Sequence, residues 1–184
     1  VYDADIAANA GNSEICGEVK QRINSGGKLP LISGCSQGVS RFVKNFYPDL
    51  ENHLAAAKDP RQLFAASYKS YYAKEAGIPP SNVKPVSFVP CIAQKYTTEP
   101  EKTEFTLTAG ELARMIKLSG IIIESLPEEQ FDAFPCELPV HDASVKKETV
   151  HGYAQARSVM EAIRRGECDA QWVEILSCPK SNFS

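Results

Sequence analysis

Three cysteines in this 184-residue chain each follow a run of apolar and β-branched residues. Val86–Lys95 reads VSFVPCIAQK, and Pro90 removes a backbone donor and stops the strand just before Cys91. Leu29–Ser33 (LPLIS) runs into Gly34-Cys35-Ser36, and Gln171–Ser177 (QWVEILS) runs into Cys178-Pro179. In open α/β sheets, ligands sit in the crevice beyond the carboxyl ends of the strands. Three thiols delivered there from distant parts of the chain, Cys35, Cys91 and Cys178, look like a site.

The elements that must position them alternate along the chain. Helices are expected over 14–24 behind an Asn12-Ser13 cap, 38–47, 60–76, 109–119 and 153–165. The second is expected to bury Val39, Phe42, Val43 and Phe46. The third offers Leu63, Phe64, Ser67, Tyr68, Tyr71 and Tyr72 to the core. Thr108 and Glu111 stand at the spacing of a capping box. Residues 49–58 read as a short helical stretch, and Glu128-Glu129 as a solvated helix start. Strands are expected at 29–33, 83–89, 104–107, 146–150 and 171–176, giving an α/β architecture with mostly parallel sheets flanked by helices.

Composition sets the outer limits. The chain is 43% hydrophobic and 23% charged, with a net charge of −3, which argues against a nucleic-acid partner. No apolar run approaches a membrane span, Gly120–Ile123 being the longest. Six cysteines without regular spacing fit a reduced, cytoplasmic compartment better than a disulfide scaffold. No targeting segment is legible, and an opening on Val1-Tyr2-Asp3 reads as a processed chain or an excised piece. Cys16 and Cys168 are expected on helix or turn surfaces, His53 in solvent, and His141 in a polar loop. His151-Gly152 opens a helix. No two Cys or His stand at a zinc-finger spacing.

VSFVPCIAQK, with the TEFTLTAGELARMIKLSG that follows a charged loop, resembles the catalytic domain of iron-only (FeFe) hydrogenases. There, Met-Pro-Cys-Thr-Ala-Lys-Lys precedes a Leu-Thr-Thr-Arg-Glu-Leu-Ala helix. ISGCSQGVSRFVKNFYPDL is similar to that family's Thr-Ser-Cys-Cys-Pro-Gly-Trp segment and its following helix. VHGYAQARSVMEAIRRGECDAQWVEILSCP is similar to its final helix–strand unit, and DADIAANAGNSE to its opening. The resemblance covers about residues 3–181.

It implies a two-lobed fold with a reduced second lobe. The first lobe would be 1–139, with the Cys35 and Cys91 loops; the remnant would be 140–184, with the Cys178 loop. It implies a 4Fe–4S cluster, joined in the family to a two-iron centre (the H-cluster). The implied reaction is reversible oxidation of H2 to protons and electrons, or H2 sensing. The implied partner is a ferredoxin or another iron–sulfur electron-carrier domain or subunit.

Cys91 and Cys178 match the second and third cluster ligands of the family. The fourth, bridging position falls on Asn182, a poor iron ligand, and Cys136 is a substitute donor in an irregular loop. An ungapped count from Arg41 and Pro48 puts Cys35 at the proton-relay position and Ser36 at a cluster ligand. A one-residue shift makes Cys35 the ligand and Gly34 the relay position. Softness favours Cys35 as the ligand. Gln94 replaces a family lysine that contacts the two-iron centre, Lys95 is kept, and Glu14 falls near a proton-path glutamate. Several dozen family residues between Pro139 and Lys146 are absent.

Two other readings stand beside this one. A hydrogenase-like domain that has lost ligands serves as a metal-free interaction or regulatory module. Gly34–Gly38 also matches Gly-x-Ser-x-Gly, which would make Ser36 a hydrolase nucleophile served by Asp132 or Asp142 and His151.

Overall fold

The computed structural model describes residues 1–56, 60–95, 105–132 and 144–178. The chain divides into two compact units, one of Val1–Gly11 with Lys58–Pro139, the other of Asn12–Ala57 with Val140–Ser184.

The second unit is built on a three-stranded parallel sheet. With elements numbered in chain order, its strands are β1 (Leu31–Gly34), β4 (Lys147–His151) and β5 (Trp172–Leu176). β5 lies in the centre, with Leu31 and Lys147 both opposite Trp172. Parallel sheets are normally covered on both faces, and residue alternation shows how that is met here. Ile32, Val150, Val173 and Ile175 pack with α2 (Gln37–Phe46) and α5 (Gly152–Arg164). Leu31 and Trp172 pack instead with Cys16 and Val19 of α1 (Ala4–Ser25) and with Val145.

The helical periods hold, with exceptions. In α2, Val39, Phe42 and Val43 are buried, but Phe46 is 61% exposed and only leans on the Phe42 ring at 5.5 Å. α5 buries Ala156, Val159, Met160 and Ile163. α1 begins well before Asn12-Ser13, so that pair does not start it, and Glu14 lies exposed on the helix. Cys16 is 4% exposed in one core cluster rather than on a helix surface, and Cys168, after α5, is half-buried against the other cluster. His53 is buried rather than solvated, because its Nδ1 hydrogen-bonds Pro30 O at 2.9 Å and so satisfies a ring nitrogen away from water.

Cys35 and Cys178 fall in one unit and Cys91 in the other. The cause is the β1–β5 pairing, which joins segments about 140 residues apart in a sheet that chain order does not announce.

The first unit holds α3 (Pro60–Ala76), a parallel pair β2 (Val86–Val89) and β3 (Phe105–Thr108), and α4 (Ala109–Leu118). Along α3, Ala65 and Ala73 are buried, whereas Ser67, Tyr71 and Tyr72 are exposed. The Tyr68 ring stands between Tyr2 at 4.6 Å and Tyr72 at 5.6 Å. Burial, together with a hydrogen bond to Tyr2, pushes its phenol well above the ordinary value. Residues 48–53 form a single 3₁₀ stretch, and Glu128 and Glu129 are exposed without a helix.

Candidate functional site

β1 and β5 are parallel neighbours, so their carboxyl ends bring residues 35 and 177–178 to one edge of the sheet. Cys35 N–H donates to Ile175 O at 3.2 Å, which carries the pairing one residue past the strand. The Cys35 Sγ accepts the Ser177 N–H at 3.4 Å and lies 3.6 Å from Ser177 Oγ. The Cys178 thiol is exposed at the same edge.

Gly34 is what lets β1 run this close to α2. A Cβ at Gly34 would stand 2.3 Å from Val39 Cβ and 2.5 and 2.6 Å from its two methyls. Val39 is 1% exposed and has nowhere to retreat. Gly34→Ala is therefore expected to destabilise the unit by about 1–3 kcal/mol, through overpacking. Thermal melting of the variant beside Gly17→Ala checks it, since a Cβ at Gly17 meets nothing within 4 Å.

Ser36 follows as the N-cap of α2, with extended backbone and no side-chain cap bond. Its Oγ is buried and has no hydrogen-bond partner among the described residues. A nucleophile elbow needs a strained turn and a base on the serine. No described non-glycine residue has positive φ, and His151 serves as the N-cap of α5, with its N–H donated to Gln155 Oε1 at 2.8 Å. Asp132 pairs with the Val1 amino group, and Asp142 and His141 lie outside the described residues. The hydrolase reading has no geometric support among the described residues.

In the first unit, Cys91 follows β2 half-buried, and a short 3₁₀ turn, Ile92–Lys95, comes next. Gln94 O accepts Arg61 Nη2 at 2.8 Å, which ties this turn to α3. Lys95 Nζ grips both oxygens of Glu111 at 2.7 and 2.8 Å. Glu111 also closes the capping box on Thr108 that the spacing predicts, receiving its N–H at 2.7 Å. Lys95 is thus engaged in fixing the start of α4.

That network has a pH signature. The Lys95 ammonium first, then the Thr108 N–H and hydroxyl, hold the Glu111 carboxyl down to about 2, from an ordinary 4.5. Between those values the unfolded chain binds the proton and the folded chain does not, so stability falls as pH drops from 4.5 toward 2. Glu111→Gln is expected to flatten this part of the profile while leaving the neutral region less stable. Urea melts at about pH 5 and about pH 2.5 check it.

Cys136 and Asn182 lie outside the described residues. Among the described residues, no three Cys, His, Asp or Glu side chains gather into a set able to hold a metal ion. A cleft of about 760 Å³ runs along β4 and α5, lined by Lys146, Glu148, Gln155, Ser158, Cys168 and Asp169. None of the three strand-end cysteines lines it. No described helix is long and apolar enough to cross a membrane.

The parallel strands with thiols at their carboxyl ends define a class. A family profile described as "Iron only hydrogenase large subunit, C-terminal domain" matches residues 1–138, and the chain belongs to that family. Iron hydrogenase 1 of Clostridium pasteurianum is 32% identical over 140 residues, covering 72% of this chain and 24% of that protein. A cytosolic Fe–S cluster assembly factor, narfl of Xenopus tropicalis, is 23% identical over 147 residues, covering 72% of this chain and 31% of the other. The fold is that of the [FeFe]-hydrogenase HydA1 from Chlamydomonas reinhardtii, with a TM-score of 0.68 at 17% identity, covering 97% of this chain and 69% of that one. The chain therefore spans about a quarter to a third of the length of these curated relatives.

Two thiols share the carboxyl edge of one sheet, and in the other unit a third follows β2. A full set of four thiolates is not among the described residues.

Proposed function

We propose that this chain is a hydrogenase-family domain that binds a 4Fe–4S cluster through Cys91, Cys178 and a donor from the Cys35-Ser36 step. A bound cluster would supply one-electron storage. The observation that carries the reading is the β1–β5 pairing, which brings two of the strand-tip cysteines to one sheet edge, as a ligand crevice requires. Residues 35 and 36 are fixed there by Gly34 packing on Val39 and by the Cys35–Ser177 contact. With Asn182 at the bridging position, the role assigned is electron relay or H2 sensing, in a cytoplasmic setting, with a ferredoxin-like carrier as partner.

Anaerobic reconstitution with ferrous iron and sulfide tests this. The expected result is a brown protein with thiolate-to-iron absorption and about four irons per chain. A colourless protein without iron at every loading overturns it.

A second reading is a metal-free interaction module. It is favoured by the lack of any three-donor group among the described residues. It predicts the same melting temperature with and without iron and sulfide.

A further inference from the structure

At the end of α4, composition and exposure disagree. Every residue from Lys117 to Asp132 is exposed, yet the stretch carries Leu118, Ile121, Ile122, Ile123 and Leu126. With Met115, one turn before Leu118, these side chains are 48–78% exposed. The backbone beneath them is held by its own bonds. Gly120, at φ +70°, turns the chain at the end of α4, Ser125 N–H donates to Ile122 O at 3.1 Å, and Leu126 N–H donates to Ile123 O at 3.0 Å. Apolar residues exposed singly are ordinary, but a contiguous run marks an interaction surface. This run exposes on the order of 600 Å², the upper end for the largest apolar patch on a monomer.

Charges flank the run in a fixed order. Arg114 and Lys117 stand one turn apart on α4 at its start, and Glu124, Glu128 and Glu129 lie toward its end. All five are exposed, and none has an ion-pair or hydrogen-bond partner among the described residues. In chain order the surface is therefore basic, then apolar, then acidic. A surface of that kind is complementary to itself about a two-fold axis, where residue i meets j and j meets i.

We propose that this face docks a second copy of the chain in a two-fold, antiparallel arrangement. The apolar middle packs on its counterpart, and the Arg114 and Lys117 end of each copy meets the glutamates of the other. The apolar middle supplies the affinity, and the charges at its two ends set the orientation. The exposed area falls somewhat short of the about 800 Å² per partner of a standard interface, so the dimer is reversible and of micromolar strength. All the residues involved belong to the first unit, and the proposal stands apart from the cluster-binding reading.

Sedimentation equilibrium of the full chain over about 1–500 μM tests this, with far-ultraviolet dichroism as the control for folding. The wild-type chain is expected to pass from monomer to dimer across that range. Ile122→Lys is expected to weaken the dimer at least about tenfold. Phe46→Lys, at an exposed apolar residue of the other unit, is expected to leave it unchanged. Two charge-reversed chains fix the orientation. Arg114→Glu with Lys117→Glu makes both ends acidic, and Glu124→Lys with Glu128→Lys makes both ends basic. Each alone is expected to dimerise about tenfold more weakly at low salt, because like charges then face each other. An equimolar mixture of the two is expected to associate at least as tightly as the wild type, and added salt to narrow the differences. A wild-type chain that stays monomeric throughout overturns the proposal, as does Ile122→Lys that dimerises like the wild type. A mixture no tighter than either reversed chain alone overturns the antiparallel pairing. Should Ile122→Lys fail to fold, the reversed chains decide, since their changes fall only on exposed, unpaired charges.

Discussion

Trp172→Ala is expected to cost about 3–5 kcal/mol, the range for truncating a large buried aromatic residue. Trp172 is fully buried on the central strand β5, where Leu31, Cys16, Val19 and Val145 pack about it. Its indole N–H donates to Ser33 Oγ at 2.8 Å, and Lys147 Nζ lies 4.0 Å from the ring centroid. Truncation removes the packing, leaves Ser33 without its donor and takes away the face on which Lys147 rests. Lys147 keeps Glu174 at 3.0 Å, so the ion pair alone does not account for the loss. Against a total stability of about 5–15 kcal/mol, this is a large fraction. The melting point is expected to drop by roughly 6–20 °C. Trp172→Phe restores most of the volume without the N–H and is expected to fall well short of the alanine loss. Urea unfolding of both variants checks it, and a Trp172→Ala loss below about 1 kcal/mol would remove α1 and β5 from the core assignment.

The fold was legible in the sequence where the signal is local. The periods of α2 and α5, the capping box on α4 and the breaks at Gly34 and Pro90 all rest on neighbours within a turn or two. What escaped depends on distant partners. Phe46 fits the apolar stripe of α2, but the helix ends there and the side chain turns out to solvent. Tyr71 and Tyr72 look like core residues by type, whereas Ala65 and Ala73 are buried in their place. His53 is buried because a carbonyl 23 residues earlier meets its ring. The strand-tip cysteines were legible because proline and glycine mark where strands stop. That Cys35 and Cys178 share one sheet edge was not, since parallel pairing of β1 with β5 leaves no trace in spacing. The orphaned Ser36 hydroxyl has no sequence signal beyond the register that sets it beside Cys35.

The cysteines themselves give the sharpest separation of structure from function. Cys91→Ala and Cys178→Ala are each expected to cut the iron retained after a chelator challenge by at least about 10–100-fold, the range for losing even an outer-sphere partner of a metal. Neither change is expected to move the iron-free melting point much, because Cys178 is exposed and Cys91 only half-buried. Cys16→Ala and Cys168→Ala should behave the opposite way. Cys16 is 4% exposed beside Trp172, and Cys168 packs against the cluster that holds Met160 and Ile175. Removing a sulfur from such packing costs about 1 kcal/mol and leaves any metal donors in place. The four variants thus form a crossed design in which iron content and apo stability move independently. Iron content falling equally in all four would trace the loss to general unfolding and remove the case for strand-tip ligands. Iron lost only with Cys91 and Cys178 would tie the cluster to the carboxyl ends of β2 and β5.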